Sequence, residues 1–119
     1  MIIVTTENVP GHETVRVLGA CFGIVVRSRG AIPNITAGVR SIFGGEIPEY
    51  TRLLESARNA AMERLSAHAA QLGGNAVLMM RFDGSEIAQS MSEIVAYGTA
   101  AVIQPVSPTS TPQTPWNRS

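Results

Sequence analysis

Lysine is absent from this chain of 119 residues, so all nine basic residues are arginines. The absence excludes enzymes that form a Schiff base through lysine and nucleotide-binding proteins that hold phosphate with a P-loop lysine. The arginines are dispersed along the chain and are balanced by nine acidic residues, so the formal net charge is zero. Because nucleic-acid-binding proteins usually carry a dense basic cluster, a DNA- or RNA-binding function is disfavoured.

Cysteine and long apolar runs are also scarce. The single cysteine, Cys21, has no partner for an internal disulfide, so nothing indicates an oxidising compartment. No apolar run approaches the roughly 20 residues of a membrane span, and the apolar residues 1–4 lack the charged leader of a signal peptide. We therefore expect a soluble, cytoplasmic protein without a membrane partner.

The clearest local pattern is a segment of helical period at residues 48–72. Its apolar face is rich in alanine and consists of Leu53, Leu54, Ala57, Ala60, Ala61, Leu65, His68 and Leu72. Pro48 suits the first turn of a helix, and Gly73 suits a left-handed stop. The pattern predicts a long helix whose small side chains allow another backbone to come close.

The segments that flank this helix are typical of strands. They are residues 2–4, 14–28, 76–82 and 93–104. Gly19 and Gly23 indicate a bend, a bulge or the close approach of another backbone. Asp83-Gly84-Ser85 indicates a turn, and residues 86–92 either continue a strand or form a hairpin connection, which we favour. A short helix is predicted from residue 33 to residue 43.

The order β-β-α-α-β-β predicts an α+β domain in which one short and one long helix pack on a mainly antiparallel sheet. This domain covers residues 1–105. Residues 106–119 are rich in Pro, Ser and Thr and predict a flexible tail, in which Trp116 is a candidate docking motif for a partner protein. The strands are apolar on both faces, whereas the helices can cover only one, so we expect a homo-oligomer.

Several motifs resemble the YbjQ-like, or UPF0145, family, whose members are sometimes labelled heavy-metal-binding. The motifs are Val26-Arg27-Ser28-Arg29, Ala37-Gly38-Val39-Arg40, Gly44-Gly45-Glu46-Ile47, Leu72-Gly73-Gly74-Asn75-Ala76-Val77, Arg81-Phe82-Asp83, Ser85-Glu86-Ile87 and Ala96-Tyr97-Gly98-Thr99-Ala100. The resemblance covers residues 1–106. It implies a bacterial α+β protein, related to dodecin-like folds, that assembles as a ring with a pentamer expected. It implies no particular reaction.

The family label makes the soft metal ligands His12, Cys21 and His68 the first candidates for a metal site. No C-x-x-C or H-x-x-x-H motif places two of them at ligand spacing. In a ring, symmetry copies of one His or Cys near the axis would form a cluster, which is the one route to a metal ion as cofactor. The alternatives are a buried cysteine that acts as a small hydrophobe and a hydrogen-bonded core or interface histidine.

A second candidate site would hold a small ligand with a phosphate or carboxylate group. The candidate residues are Arg27, Ser28, Arg29, Glu46 and His68. The alternative is that these arginines form ordinary salt bridges with nearby glutamates. No G-x-S-x-G elbow occurs, and neither histidine has an adjacent carboxylate pattern, so no catalytic residue is assigned.

These patterns together favour a non-catalytic oligomeric protein over an enzyme. We expect a binding or structural ring that holds a small ligand or a metal at its subunit interfaces. The alternative is an assembly or adaptor protein that presents its C-terminal tail to a partner protein, because several copies of one weak motif would multiply its affinity.

Overall fold

A computed structural model describes residues 1–28, 48–88 and 91–106 of the chain. Its elements are β1 (Ile2–Ile3), β2 (His12–Ser28), α1 (Pro48–Gln71), β3 (Ala76–Ala88) and β4 (Met91–Pro105). They form an α+β fold in which one helix lies across one four-stranded sheet. The predicted short helix lies outside the described residues, as do Arg29, Glu46 and Trp116.

The sheet has the order β1-β3-β4-β2 and is mixed rather than mainly antiparallel, which corrects the prediction. β4 runs antiparallel to both of its neighbours, whereas β1 runs parallel to β3. The Val4 N–H donates to the Val77 carbonyl at 2.9 Å, beside the two residue pairs of β1 and β3. A strand of two residues carries too little pattern to indicate its direction, so only the folded chain reveals the parallel pair.

Asp83-Gly84-Ser85 continues β3, so the predicted turn at these residues is wrong. Each of them pairs with a residue of β4 in regular antiparallel register. The Gly84 N–H also donates to the Asp83 carboxylate at 2.9 Å. The turn was inferred from residue types, and strand pairing overrides that weak local preference. Residues 86–88 also continue β3 and residues 91–92 already belong to β4, so most of the segment for which we favoured a hairpin connection lies in the two strands.

The core lies between α1 and one face of the sheet. Its buried members are Cys21, Val25, Ala57, Ala61, Leu65, Ala69, Val77, Met80, Ile94, Ala96 and Ala100. Four of them follow one another at every fourth residue of α1, from Ala57 to Ala69, and three of these four are alanines. Because alanine has the smallest side chain that still forms helix readily, this stripe brings α1 close to the sheet.

Gly23 of β2 marks the closest approach of the helix. A Cβ atom built on it would lie 2.2 Å from the Ala61 carbonyl oxygen and 2.4 Å from the Leu65 nitrogen. The predicted close approach of another backbone is therefore confirmed at this residue. The left-handed stop is also confirmed, since Gly73 has a φ of 92° and the Gly74 N–H donates to the Ala69 carbonyl at 2.9 Å.

The face of the sheet opposite α1 exposes large apolar side chains. Residues of β2 alternate between the two faces, so Cys21 and Val25 are buried while Phe22, Ile24 and Val26 are 50%, 40% and 45% exposed. Tyr97 of β4 pairs with Phe22 and is 44% exposed on the same face. Apart from the His68 ring of α1, which meets the Phe22 ring edge-on, none of the described elements covers these four residues.

Candidate functional site

A polar cleft lies between the end of β2 and α1. Arg27, the residue before the last of β2, follows Cys21, Gly23 and Val25 on the side of the sheet that faces the helix. The cleft has a volume of about 500 Å³. Its lining residues are Arg27, Arg52, Glu55, Ser56, Asn59, Ala60 and Glu63. Apart from Arg27 they occupy one side of α1, because residues three and four apart in a helix are neighbours.

The Arg27 side chain carries an unusual feature in this cleft. Its Nε atom is buried and has no hydrogen-bond partner within residues 1–28, 48–88 and 91–106. Leaving a buried donor without a partner costs about 1–3 kcal/mol, and more for a charged group. Since such donors are rare in native proteins, each one calls for an explanation such as a bound ion or molecule.

The cleft combines donors and acceptors. The guanidinium groups of Arg27 and Arg52, the Ser56 hydroxyl and the Asn59 amide donate hydrogen bonds, and planar guanidinium groups suit carboxylate and phosphate oxygens. The carboxylates of Glu55 and Glu63, on the same side of α1, accept hydrogen bonds from amine or hydroxyl groups. The arrangement therefore suits a small polar molecule that has an anionic group and at least one donor.

The structure brings together only part of the predicted ligand set. Arg27 lines the cleft, whereas His68 does not line it and instead contacts the middle of β2. Ser28 is exposed at the end of β2 and has a partner of its own. Arg52, Ser56 and Asn59 were missed because a polar helix face is usually solvated. Their spacing of three to four residues was the only available signal.

A second cavity of about 400 Å³ lies near the ends of β3 and β4. The Arg58 guanidinium lies 5.1 Å from the centre of the Phe82 ring, and Leu54 and Ile94 add apolar surface. The Ser85 hydroxyl donates to the Glu93 carboxylate at 3.3 Å. This cavity contains none of the predicted site residues.

Cys21 has the environment of an apolar core residue. It is fully buried, and its S–H donates to the Gly98 carbonyl at 3.6 Å. Burial raises the pKa of the Cys21 thiol, because a thiolate is poorly solvated there. The thiolate is the form that binds soft metals, so this environment works against ligation by Cys21.

The three soft candidate ligands are not brought together within one chain. His12 begins β2, Cys21 lies in its buried centre, and His68 lies on α1. Within the described part of the chain, no three His, Cys, Asp or Glu side chains are grouped so that they would hold a metal ion. The donor set of the described residues therefore does not fit a heavy-metal site inside a single chain.

Comparison with known proteins gives a consistent result. Residues 1–104 match a family model, YbjQ_1, described as "Putative heavy-metal-binding". A UPF0145 protein from Bradyrhizobium sp. strain ORS 278 is 65% identical over 105 residues, which is 88% of this chain and 95% of the relative. A UPF0145 protein from the archaeon Thermoplasma acidophilum is 56% identical and covers 89% of each chain. Such relatives therefore occur beyond bacteria.

One crystal structure supports the fold. It is that of a protein of unknown function from Pediococcus pentosaceus, assigned to the DUF74 family, with a TM-score of 0.58 and 14% identity. The match covers 87% of this chain and 98% of that protein. Within the described residues, no helix is long and apolar enough to cross a membrane.

Proposed function

The chain belongs to the YbjQ-like, or UPF0145, family, and from that premise we propose that it is a non-catalytic homo-oligomeric protein that binds a small polar ligand in the cleft beside Arg27. The observation that carries the proposal is the buried Arg27 Nε, which has no partner in the described residues. A ligand oxygen beside the Arg27 Nε would offset the free energy lost when this N–H group is buried without a partner.

The ligand class follows from the lining of the cleft. Two guanidinium groups favour a carboxylate or phosphate group, while Glu55 and Glu63 favour an amine or hydroxyl group on the same molecule. A volume of about 500 Å³ is within the range of small-molecule sites. The opposed charges disfavour a simple inorganic anion and favour a small metabolite that carries both kinds of group.

The homo-oligomer is proposed because the face of the sheet opposite α1 exposes large apolar side chains. Phe22, Ile24, Val26 and Tyr97 place four large apolar side chains together on that face. Contiguous apolar surface of this kind is typical of protein interfaces, and a second copy of the chain is the simplest partner. The expected assembly is a ring of five copies, in which the cleft beside Arg27 lies on the helix side of the sheet, away from this face.

A thermal-shift experiment tests the ligand. The full chain is screened against small carboxylates, phosphates, amino acids and amino sugars, each at millimolar concentration. A bound ligand raises the melting temperature, because it stabilises only the folded state. In Arg27→Gln the increase should disappear. Arg16→Gln is the matched control, because Arg16 is an exposed residue near the other end of β2 and does not line the cleft.

Two results would contradict the proposal. If no compound in the panel changes the melting temperature of the wild-type chain, the ligand site loses its support. If light scattering at micromolar concentration gives the mass of one chain, the homo-oligomer is wrong.

A further inference from the structure

The two histidines of this chain use the same ring atom in opposite ways. The His12 Nδ1 lies 3.0 Å from the Pro10 carbonyl oxygen, which only accepts hydrogen bonds, so His12 Nδ1 carries a proton. The His68 Nδ1 lies 3.0 Å from the Phe22 backbone nitrogen, which only donates, so His68 Nδ1 carries a lone pair. In a neutral ring the proton of His68 is therefore on Nε2.

This difference determines which histidine is able to hold a metal ion. A metal-bound histidine uses one ring nitrogen as a ligand and usually donates its other N–H to a carbonyl or carboxylate. His12 already has this arrangement, since its Nδ1–H donates to a carbonyl. His68 has the reverse arrangement. Metal binding through its Nε2 would move the proton to Nδ1 and place it against the Phe22 N–H, so that two donors would face each other at 3.0 Å.

Several contacts hold His68 in this position. In the part of the chain that the structure describes, β2 is an edge strand, so no described strand lies beside its outer backbone groups. α1 supplies two partners in place of that strand: His68 accepts from the Phe22 N–H, and the Arg64 guanidinium donates to the Ile24 carbonyl. The His68 ring also packs edge-on against the Phe22 ring, with ring centres 4.9 Å apart.

We propose that His68 closes the outer edge of β2 as a neutral hydrogen-bond acceptor and that this role excludes it from heavy-metal ligation. With Arg64 it satisfies the edge groups of β2 that lie on either side of Gly23, where the helix is closest to the strand. Uncovered strand edges tend to pair with other chains, so natural proteins cover them. Since Cys21 is a buried thiol, neither of these two residues fits the description of the family as heavy-metal-binding.

The ring tautomers provide the direct test, which needs no variant. In the full chain with ¹⁵N-labelled histidine, long-range ¹H–¹⁵N spectra at pH 8 should show one ring protonated at Nε2 and the other at Nδ1. His12→Asn should remove the Nδ1-protonated signal and thereby assign it. An Nδ1-protonated His68 would overturn the proposal.

Two substitutions of His68 test the acceptor role. In His68→Asn the amide oxygen replaces Nδ1 as an acceptor, whereas His68→Leu has no acceptor. Hydrogen exchange at the Phe22 amide should stay slow in His68→Asn and be at least about tenfold faster in His68→Leu, because that amide then lacks its partner. Equal exchange rates in the two folded variants would contradict the proposal.

Titration with zinc and cadmium tests the exclusion. The His68 ring signals should not move when either ion is added to the wild-type chain, and His68→Asn should bind as much of each ion as the wild type. Binding of one ion per chain or per ring that disappears in both His68 variants but persists in His12→Asn would overturn the proposal.

Discussion

The substitution Gly23→Ala should destabilise the fold far more than the addition of one methyl group normally does. The new Cβ would lie 2.2 Å from the Ala61 carbonyl oxygen and 2.4 Å from the Leu65 nitrogen, and separations under 3.0 Å are essentially never seen for real Cβ atoms. These two obstacles are helix backbone atoms, and the third, the Arg64 Cβ at 2.8 Å, is fixed to the backbone, so no side-chain rotation relieves the clash. α1 would have to move away from β2 by roughly 1 Å.

The expected loss of unfolding free energy is about 3–5 kcal/mol. Overpacking alone typically costs about 1–3 kcal/mol. Movement of α1 also lengthens the hydrogen bonds that His68 and Arg64 form with β2, each worth a net of about 0.5–1.5 kcal/mol. Since whole domains are stable by only about 5–15 kcal/mol, the variant should lie near the limit of folding.

Urea unfolding followed by circular dichroism, at one fixed protein concentration, measures this loss. The unfolding midpoint of Gly23→Ala should fall by about 2 M urea. Gly84→Ala is the matched control, because its Cβ would meet nothing closer than the Glu93 carbonyl oxygen at 3.6 Å. Its stability should be unchanged or slightly raised, since alanine lowers the entropy of the unfolded chain. Equal midpoints for the two variants would refute the close packing of helix and strand.

Three further predictions concern other parts of the molecule. An unfolded cysteine has a pKa of about 8.5. Because burial raises the pKa of the Cys21 thiol, the folded chain keeps the thiol proton at pH values at which the unfolded chain has lost it. The unfolding free energy should therefore fall as pH rises from about 8.5, and less steeply in Cys21→Ala; parallel pH profiles would contradict this. Asn75→Ala should cost about 1–3 kcal/mol in urea unfolding, because the Asn75 amide exchanges two hydrogen bonds of 2.8 and 2.9 Å with the Ile103 backbone; an unfolding midpoint equal to that of the wild type would contradict this. Deleting residues 106–119 should leave the number of chains per particle, measured by light scattering, unchanged. A co-purifying protein that is retained after the deletion would contradict the adaptor alternative for Trp116.

The helix and the long strand β2 were predictable because their signals are local. Pro48, the alanine stripe and Gly73 define α1 by propensity and spacing, and the predicted residues 48–72 differ from Pro48–Gln71 by one residue. The predicted strand at residues 14–28 agrees with β2 except that β2 begins two residues earlier, at His12. Gly23 was recognised as a place of close approach, although the sequence did not indicate which element approaches it.

The features that sequence reasoning missed depend on contacts between distant segments. The parallel direction of β1 depends on its pairing with Ala76 and Val77, some 74 residues later in the chain. Asp83 looked like part of a turn because its pairing with Val95 has no local signal. The cleft beside Arg27 likewise requires that the end of β2 lie against the polar side of α1. The role of His68 was left open between ligand and structural residue until its ring nitrogen could be placed against the Phe22 N–H.

The contact at Gly23 has a consequence for how this sequence is able to vary. When two side chains compete for space, a larger residue on one side is often rescued by a smaller one on the other. Here the two closest competing atoms are the Ala61 carbonyl oxygen and the Leu65 nitrogen, which belong to the backbone and stay whatever side chain is chosen. A genetic screen for revertants and suppressors of Gly23→Ala should therefore recover the original glycine and no size-compensating exchange at Ala61 or Leu65.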